Sequence, residues 1–173
     1  MAGTQAWRIS RRGVTEDMFK TILFKLAQAL VVQPLYRQFR GLTIGTRTLV
    51  LRDNAEILLV RHTYAPGWLV PGGGVERRET VYQAAVREVR EETDIVADEE
   101  PLLHGMFLND KNFPGDHVAC FVLRKFTVGA FKPNLEIADA KFFAIDALPE
   151  DTTGGTRRRI DEVVKGTPLT RVW

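Results

Sequence analysis

Three glutamates lie close together in the segment "REVREETD". Glu88, Glu91 and Glu92 recur at spacings of three and four, and an arginine precedes each of the first two. On a helix these spacings place the carboxylates in one stripe about 100° wide. Like charges at such spacings repel one another, and hard divalent cations take carboxylate oxygens as ligands. The segment therefore predicts either a solvated, salt-bridged helix face or a site for Mg²⁺ or Mn²⁺.

Two neighbouring features favour the metal site. Val81, Ala85 and Val89 fall on or beside the glutamate stripe, so the carboxylates adjoin the apolar side of the helix. Partial burial makes the repulsion more costly. Upstream, Pro71 is followed by three glycines at residues 72–74, where a ligand can approach the backbone without meeting a Cβ. A glycine triplet is also typical of hairpin turns, so by itself it does not indicate a binding site.

The full spacing resembles the signature of the Nudix hydrolases, G-x5-E-x7-R-E-U-x-E-E-x-G-U, in which U is a bulky aliphatic residue. In this chain Gly73 is followed after five residues by Glu79, and after seven more by Arg87-Glu88-Val89-Arg90-Glu91-Glu92-Thr93-Asp94-Ile95. Asp94 stands where glycine is usual. Glycine at that point ends the helix in a left-handed conformation, and aspartate is among the next most tolerant residues. We expect a small stability cost and an intact site.

The resemblance implies metal-dependent hydrolysis of a pyrophosphate linkage in a nucleoside diphosphate linked to a group X. It assigns metal ligation to Glu91, Glu92 and the carbonyl of Gly73, with Mg²⁺ or Mn²⁺ as the cofactor. Glu88 is implied to be either a further ligand or the general base that activates water. The residues with an implied catalytic role are Glu88, Glu91, Arg87, which orients the carboxylates, and Glu136.

Glu136 enters because some members of the family supply the base from a later loop. It matches the acidic residue before the closing strand of the family, although a turn carboxylate is an equally good interpretation. Asp110 and Asp116 are the other candidates. For substrate contacts we predict Arg61, His62, Trp68, Glu79 and Lys111. Trp68 is as compatible with the core, His62 with a structural role, and Glu79 with anchoring the junction of loop and helix.

The elements that position these residues follow from hydrophobic periodicity. Strands are predicted at "LTIGTRTLVL", "EILLVRH", "LLHGMFL", "HVACFVLRKF" and "AKFFAI", and helices at residues 79–93 and 156–165. Strands accompanied by one central and one terminal helix indicate the α+β class. The resemblance implies, more specifically, an α/β/α sandwich with a mixed sheet. It covers about residues 42–165.

The first forty residues carry an additional helical pattern. Apolar residues recur at helical spacing within residues 14–31, which predicts an amphipathic helical extension over residues 1–40 and a Nudix-type domain over 41–173. We expect this helix to pack on the main domain or on a second copy in a homodimer. Binding at a membrane interface is left open.

Composition excludes several classes of protein. The chain has 173 residues, 45% of them hydrophobic, with a formal net charge of +2, so nothing demands nucleic acid or a membrane surface as a partner. Its single cysteine, Cys120, lies in an apolar run and is predicted to be a buried, inert thiol. No secretory signal is evident, which predicts a cytoplasmic protein.

Two other functions use the same scaffold. A non-catalytic, nucleotide-binding regulatory module is expected to lack glutamates of the signature, and none is lacking here. A prenyl diphosphate isomerase requires a reactive cysteine, for which Cys120 is poorly placed. The sequence leaves open whether X is a sugar, a second nucleoside, phosphate or a cap.

Overall fold

The computed structural model describes residues 41–111 and 113–173. The predicted amphipathic helix at residues 14–31 lies outside the described residues. Residues Leu42–Trp173 form one compact unit. Its elements, in chain order, are β1 (Thr43–Arg52), β2 (Glu56–His62), α1 (Val81–Thr93), β3 (Ile95–Ala97), β4 (Leu102–Leu108), β5 (Asp116–Leu123), β6 (Phe126–Val128), β7 (Ile137–Ala144) and α2 (Gly154–Val164), with a 3-10 turn at Ile145–Ala147.

The main sheet is mixed and has the strand order β4-β5-β1-β2-β7. Strand β1 runs parallel to β5, and the other three pairs are antiparallel. The β1–β2 hairpin and the antiparallel pair of β4 and β5 are formed by strands that the sequence predicted. A second sheet consists of β3 and β6.

Alternate residues of β1 point to opposite faces of the sheet, as the period of a strand requires. Leu49 and Leu51 pack in the cluster that contains Ile160 of α2. Val50, between them, packs with Val89 of α1. The two helices therefore cover opposite faces of the mixed sheet. This is an α+β arrangement with one helix layer on each side.

The segment "HVACFVLRKF", predicted as one strand, is divided into β5 and β6. The backbone N–H groups of Arg124 and Lys125 donate to Oε1 of Glu99, at 3.4 and 3.2 Å, instead of continuing the ladder. Strand β6 then pairs with β3, a three-residue strand that the hydrophobic pattern did not predict. The prediction of a single strand was wrong because a side chain from another segment competes for the backbone.

The ends of α1 are set by local chemistry. Thr80 is the N-cap and forms a capping box with Gln83, so the helix begins at Val81 rather than at Glu79. Asp94 ends it in the left-handed conformation, with φ 57° and ψ 24°. The Asp94 carboxylate also accepts a hydrogen bond from the N–H of Ala130 at 2.8 Å. Aspartate thus ends the helix and also holds the chain that leaves β6.

Helix α2 begins at Gly154 and carries three consecutive arginines, residues 157–159. Such a charge run predicts a solvated helix face, which is wrong for Arg159, whose side chain is fully buried. Its guanidinium donates to Oε1 of Glu162 at 2.6 Å and lies 3.8 Å from the ring centroid of Phe107. A buried arginine is tolerated when it is paired in this way.

Cys120 is fully buried in the core, and burial raises the pKa of its thiol. Within residues 41–111 and 113–173, no helix has the length and hydropathy needed to cross a bilayer.

Candidate active site

The glycine loop lies against β1. The N–H of Thr46 donates to the carbonyl of Gly73 at 2.7 Å, and the N–H of Thr48 donates to that of Pro71 at 2.9 Å. Gly72 has a φ of +144°, and a Cβ there would lie 2.1 Å from the carbonyl oxygen of Thr46. A Cβ on Gly73 would lie 2.6 Å from Oε1 of Glu88. Glycine is required at residue 72 because the backbone of β1 approaches too closely for a side chain, whereas a side chain at residue 73 would displace the Glu88 carboxylate.

Arg87 joins the loop to the carboxylates of α1. It donates to Glu79 through Nε at 2.8 Å and Nη2 at 3.0 Å, to Glu88 at 2.8 Å and to Glu91 at 3.1 Å. Nη2 also donates to the carbonyl of Gly74 at 3.0 Å. These bonds lower the pKa of Glu79 and raise that of Arg87. One guanidinium therefore orients three carboxylates and the loop, which its planar array of donors permits.

Glu92 is the buried member of the set, with an exposed fraction of 4%. Its Oε2 accepts a hydrogen bond from the N–H of Gly72 at 2.9 Å. Burial raises the pKa of Glu92 from 4.5 to about 7, although the nearby charge of Arg47 and the Gly72 bond oppose the rise. Burial likewise raises the pKa of Glu88, opposed by Arg87. The negative charge of each ionised carboxylate is therefore incompletely balanced by the protein, and a bound cation would stabilise the ionised forms.

Arg47, on β1, is a charged neighbour of the site that sequence reasoning missed. Its Nη1 donates to the carbonyl of Gly72 and, at 3.4 Å, to that of Val70. Burial lowers its pKa, and the charges of Glu92 and Glu88 oppose that change. The available signal was a lone arginine within "TIGTRTLVL", a strand that is otherwise uncharged up to residue 51.

Glu136, which precedes β7, is brought to the same place as the glutamates of α1. A cleft of about 360 Å³ is lined by these acidic residues and by the turn before β7. Its lining consists of Glu88, Glu91, Glu92, Asn134, Leu135, Glu136 and Ile137. Four carboxylates that converge on one cleft fit a divalent metal ion, whose charge would offset the repulsion among them.

A wider cleft, of about 710 Å³, borders the glycine loop. Gly73 and Gly74 form part of its wall, and Lys111, Phe113 and Arg158 line it as well. Asp116 also faces this cleft, and its carboxylate accepts from Thr43 Oγ1 at 2.6 Å and from Asn109 Nδ2 at 2.8 Å. Asp110 accepts the N–H of Gly115 at 2.8 Å. Neither aspartate lines the acidic cleft with the glutamates.

The remaining predicted substrate residues are more dispersed. Arg61 pairs with Asp151 at 2.6 Å and lies over the ring of Trp68, 4.7 Å from its centroid. Trp68 is only 4% exposed and packs edge-on against Phe143 in the core. Neither residue lines either cleft. His62 is buried beside the acidic cleft, where burial and the charge of Arg47 lower its pKa.

Comparison with known proteins agrees with this geometry. The NUDIX domain family matches residues 42–163. The ADP-ribose pyrophosphatase of Methanocaldococcus jannaschii is 31% identical over 119 residues, which are 66% of this chain and 69% of that protein. The NAD-capped RNA hydrolase NudC of Vibrio vulnificus is 35% identical over 114 residues, which are 64% of this chain and 42% of that protein.

Among solved structures, a MutT NUDIX hydrolase from Burkholderia pseudomallei superposes with a TM-score of 0.61 at 27% identity, covering 70% of this chain and 97% of that one. An ADP-ribose pyrophosphatase from Streptococcus suis has a TM-score of 0.54 at 25% identity, covering 74% of this chain and 96% of that one. The family matches most of this chain, and the glycine loop lies against Glu88 and Glu92. This chain therefore belongs to the NUDIX domain family.

Proposed function

We propose that the protein is a divalent-metal-dependent pyrophosphohydrolase that cleaves a pyrophosphate linkage in a nucleoside diphosphate joined to a group X. The observation that carries the proposal is the convergence of Glu88, Glu91, Glu92 and Glu136 on one cleft. Relatives named ADP-ribose pyrophosphatase and NAD-capped RNA hydrolase support this substrate class. The candidate substrates are nucleotide sugars, ADP-ribose, dinucleoside polyphosphates and NTPs, and X is the part of each that is joined to the nucleoside diphosphate.

The residues of the acidic cleft suit Mg²⁺ or Mn²⁺. Glu91, Glu92 and the carbonyl of Gly73 are assigned as ligands. That carbonyl accepts a hydrogen bond from the N–H of Thr46 at 2.7 Å and a long one from its hydroxyl at 3.5 Å, which a metal ion could replace. When bound, such an ion neutralises phosphate charge and lowers the pKa of water. Arg87 is a positioning residue, because it holds Glu79, Glu88 and Glu91 in place through its own hydrogen bonds.

Glu88 fits the role of general base. Burial raises its pKa toward the operating range of an enzyme, where a base is most effective. Glu136 is the alternative base, since it lines the same cleft and its carboxylate accepts from the hydroxyl of Tyr64 at 3.3 Å. Substitution of each by glutamine distinguishes them, because the residue that acts as base sets the acidic limb of the pH–rate profile.

The wider cleft is the proposed place of the nucleoside and X. Its volume of about 710 Å³ lies within the range of small-molecule sites. Lys111 and Arg158 supply positive charge for phosphates, and the exposed ring of Phe113 supplies a face for a base. Gly73 belongs to this wall and also adjoins Glu88, so a substrate in the cleft presents its phosphates to the glutamates.

A substrate panel tests the proposal. The full chain is incubated with ADP-ribose, nucleotide sugars, dinucleoside polyphosphates and dNTPs in Mg²⁺ or Mn²⁺, and the phosphate-containing products are measured. We expect metal-dependent cleavage that is lost in Glu91→Gln and retained in Glu100→Gln, an exposed glutamate outside both clefts. Nucleotide binding without cleavage of any member of the panel would instead indicate the non-catalytic regulatory module.

A further inference from the structure

His62 ends β2 at an irregularity in the sheet. The register of β2 against β7 shifts between Arg61 and His62, and the shift places His62 opposite Ile137. The N–H of the next residue, Thr63, donates to the carbonyl of Glu136 at 2.8 Å. The irregularity therefore brings the imidazole next to the acidic residue that begins the closing strand, at the edge of the acidic cleft.

The imidazole has no conventional hydrogen-bond partner. His62 is 6% exposed, and within the described residues neither Nδ1 nor Nε2 makes a hydrogen bond. The nearest carboxylate oxygen to Nε2 is Oε1 of Glu92, at 3.5 Å, which exceeds the normal range for an N–H···O bond. A buried polar group without a partner is costly and calls for an explanation, such as an ion in the functional protein.

The surroundings of the ring supply the other ligands of a cation. One ligand atom from each of His62, Glu92 and Glu136 lies within 4.8 Å of the other two. A metal with bonds of about 2.0–2.2 Å holds its ligand atoms up to roughly 4.4 Å apart, so a small inward movement completes the site. Imidazole nitrogen is a borderline ligand that suits first-row transition metals, whereas Mg²⁺ prefers an all-oxygen environment.

We propose that His62 coordinates a divalent cation together with Glu92 and Glu136, and that this nitrogen ligand makes the site select transition-metal dications over Mg²⁺. The inference deepens the proposed function and rests on it, since the two carboxylates belong to the same acidic cleft. It reassigns His62 from the substrate contact expected on the sequence to a ligand of the metal. It also predicts that Mn²⁺ rather than Mg²⁺ occupies this position when both are supplied.

Pulsed electron paramagnetic resonance of bound Mn²⁺ tests the assignment without measuring activity. Direct coordination by imidazole produces a nitrogen coupling, which oxygen ligands do not. We expect the coupling in the wild-type protein and its loss in His62→Gln. The matched control is His104→Gln, because His104 is bonded to Glu162 at 2.9 Å and lines neither cleft. Removing the ligand should weaken Mn²⁺ binding by at least roughly tenfold and Mg²⁺ binding by less.

A second measurement needs no substitution. Wild-type protein labelled with ¹⁵N only at histidine should replace the ¹⁴N coupling by a ¹⁵N coupling, so the proposal stays testable if His62→Gln fails to fold. Bound Mn²⁺ without nitrogen coupling in the wild type would overturn the histidine ligand and leave the proposed function intact. Nitrogen coupling that persists in folded His62→Gln would also overturn it. Absence of any Mn²⁺ site sensitive to Glu92→Gln would overturn both.

Discussion

Replacing Glu92 by glutamine should stabilise the metal-free protein, and the gain should increase with pH. Glu92 is 4% exposed, and burial raises its pKa from 4.5 to about 7. A raised pKa means that the folded state holds the proton more tightly than the unfolded chain does. The stability associated with the protonated form is fully present below about pH 4.5 and is lost as the pH rises through about 7. Glutamine at this position does not ionise, so the variant does not lose this stability as the pH rises.

The expected magnitude follows from the difference between the two pKa values. Each pKa unit corresponds to about 1.4 kcal/mol, so ionising Glu92 costs the fold roughly 3 kcal/mol at pH 8 and less than about 1 kcal/mol at pH 5. The amide oxygen of glutamine can still accept the hydrogen bond from the N–H of Gly72, so the packing of the loop is kept. The difference between variant and wild type should therefore come from the removed charge.

Urea unfolding in the presence of EDTA at pH 5 and pH 8 measures this difference. The control is Glu100→Gln, which removes the same charge at an exposed position and should change the free energy of unfolding by less than about 0.5 kcal/mol. Added Mn²⁺ should raise the free energy of unfolding of the wild type but not that of Glu92→Gln, because the variant lacks a metal ligand. Equal stabilities of Glu92→Gln and wild type at pH 8 would refute the reasoning that the buried carboxylate is poorly compensated without a metal.

Three further predictions concern the loop, the helix end and α2. Gly73→Ala should lower the rate of substrate cleavage by on the order of 100-fold, because its Cβ would displace the Glu88 carboxylate. The control is Gly41→Ala, an exposed position outside both clefts where an added Cβ meets no described atom within 4 Å, and equal rates for the two variants would contradict the expectation. Asp94→Ala should lower the free energy of unfolding by about 2 kcal/mol, through left-handed strain and a lost hydrogen bond. Asp94→Gly avoids the strain and should lower it by less than about 1 kcal/mol. If urea unfolding shows Asp94→Gly to be the less stable variant, this explanation is wrong. Arg159→Ala should destabilise by on the order of 3 kcal/mol, since it removes the buried guanidinium and leaves Glu162 with only His104 and the N–H of Thr170 as partners. A thermal midpoint equal to that of the wild type would disprove the buried pair.

Features that depend on neighbours in the chain were predictable. The spacing of Glu88, Glu91 and Glu92 places them on one side of a helix whatever the rest of the fold does. The left-handed end of α1 at Asp94 follows from the same local geometry and is confirmed by its φ of 57°. The apolar run of "EILLVRH", rich in Val, Ile and Leu, similarly predicted β2. These elements are stabilised by bonds and contacts over a few residues, which the order of residue types encodes directly.

Features that depend on distant segments were not predictable. "TRRRIDE" reads as a solvated helix start, yet Arg159 is buried because α2 places it over Phe107 and beside Glu162. The division between β5 and β6 depends on Glu99 in the same way. In both cases a residue far along the chain changes the environment of a locally ordinary pattern.

The acidic helix and the glycine loop were thus determined by residue identity and spacing, because helix periodicity and backbone sterics act locally. Tertiary structure decided which other side chains meet the glutamates. It brings Arg47 from β1, His62 from the irregular end of β2 and Glu136 from the turn before β7. It also decided that Glu92 is buried and Glu91 is exposed, although they are adjacent. Burial and electrostatic interactions depend on every group within a few ångströms, and such neighbours are set by the folded sheet rather than by distance along the chain.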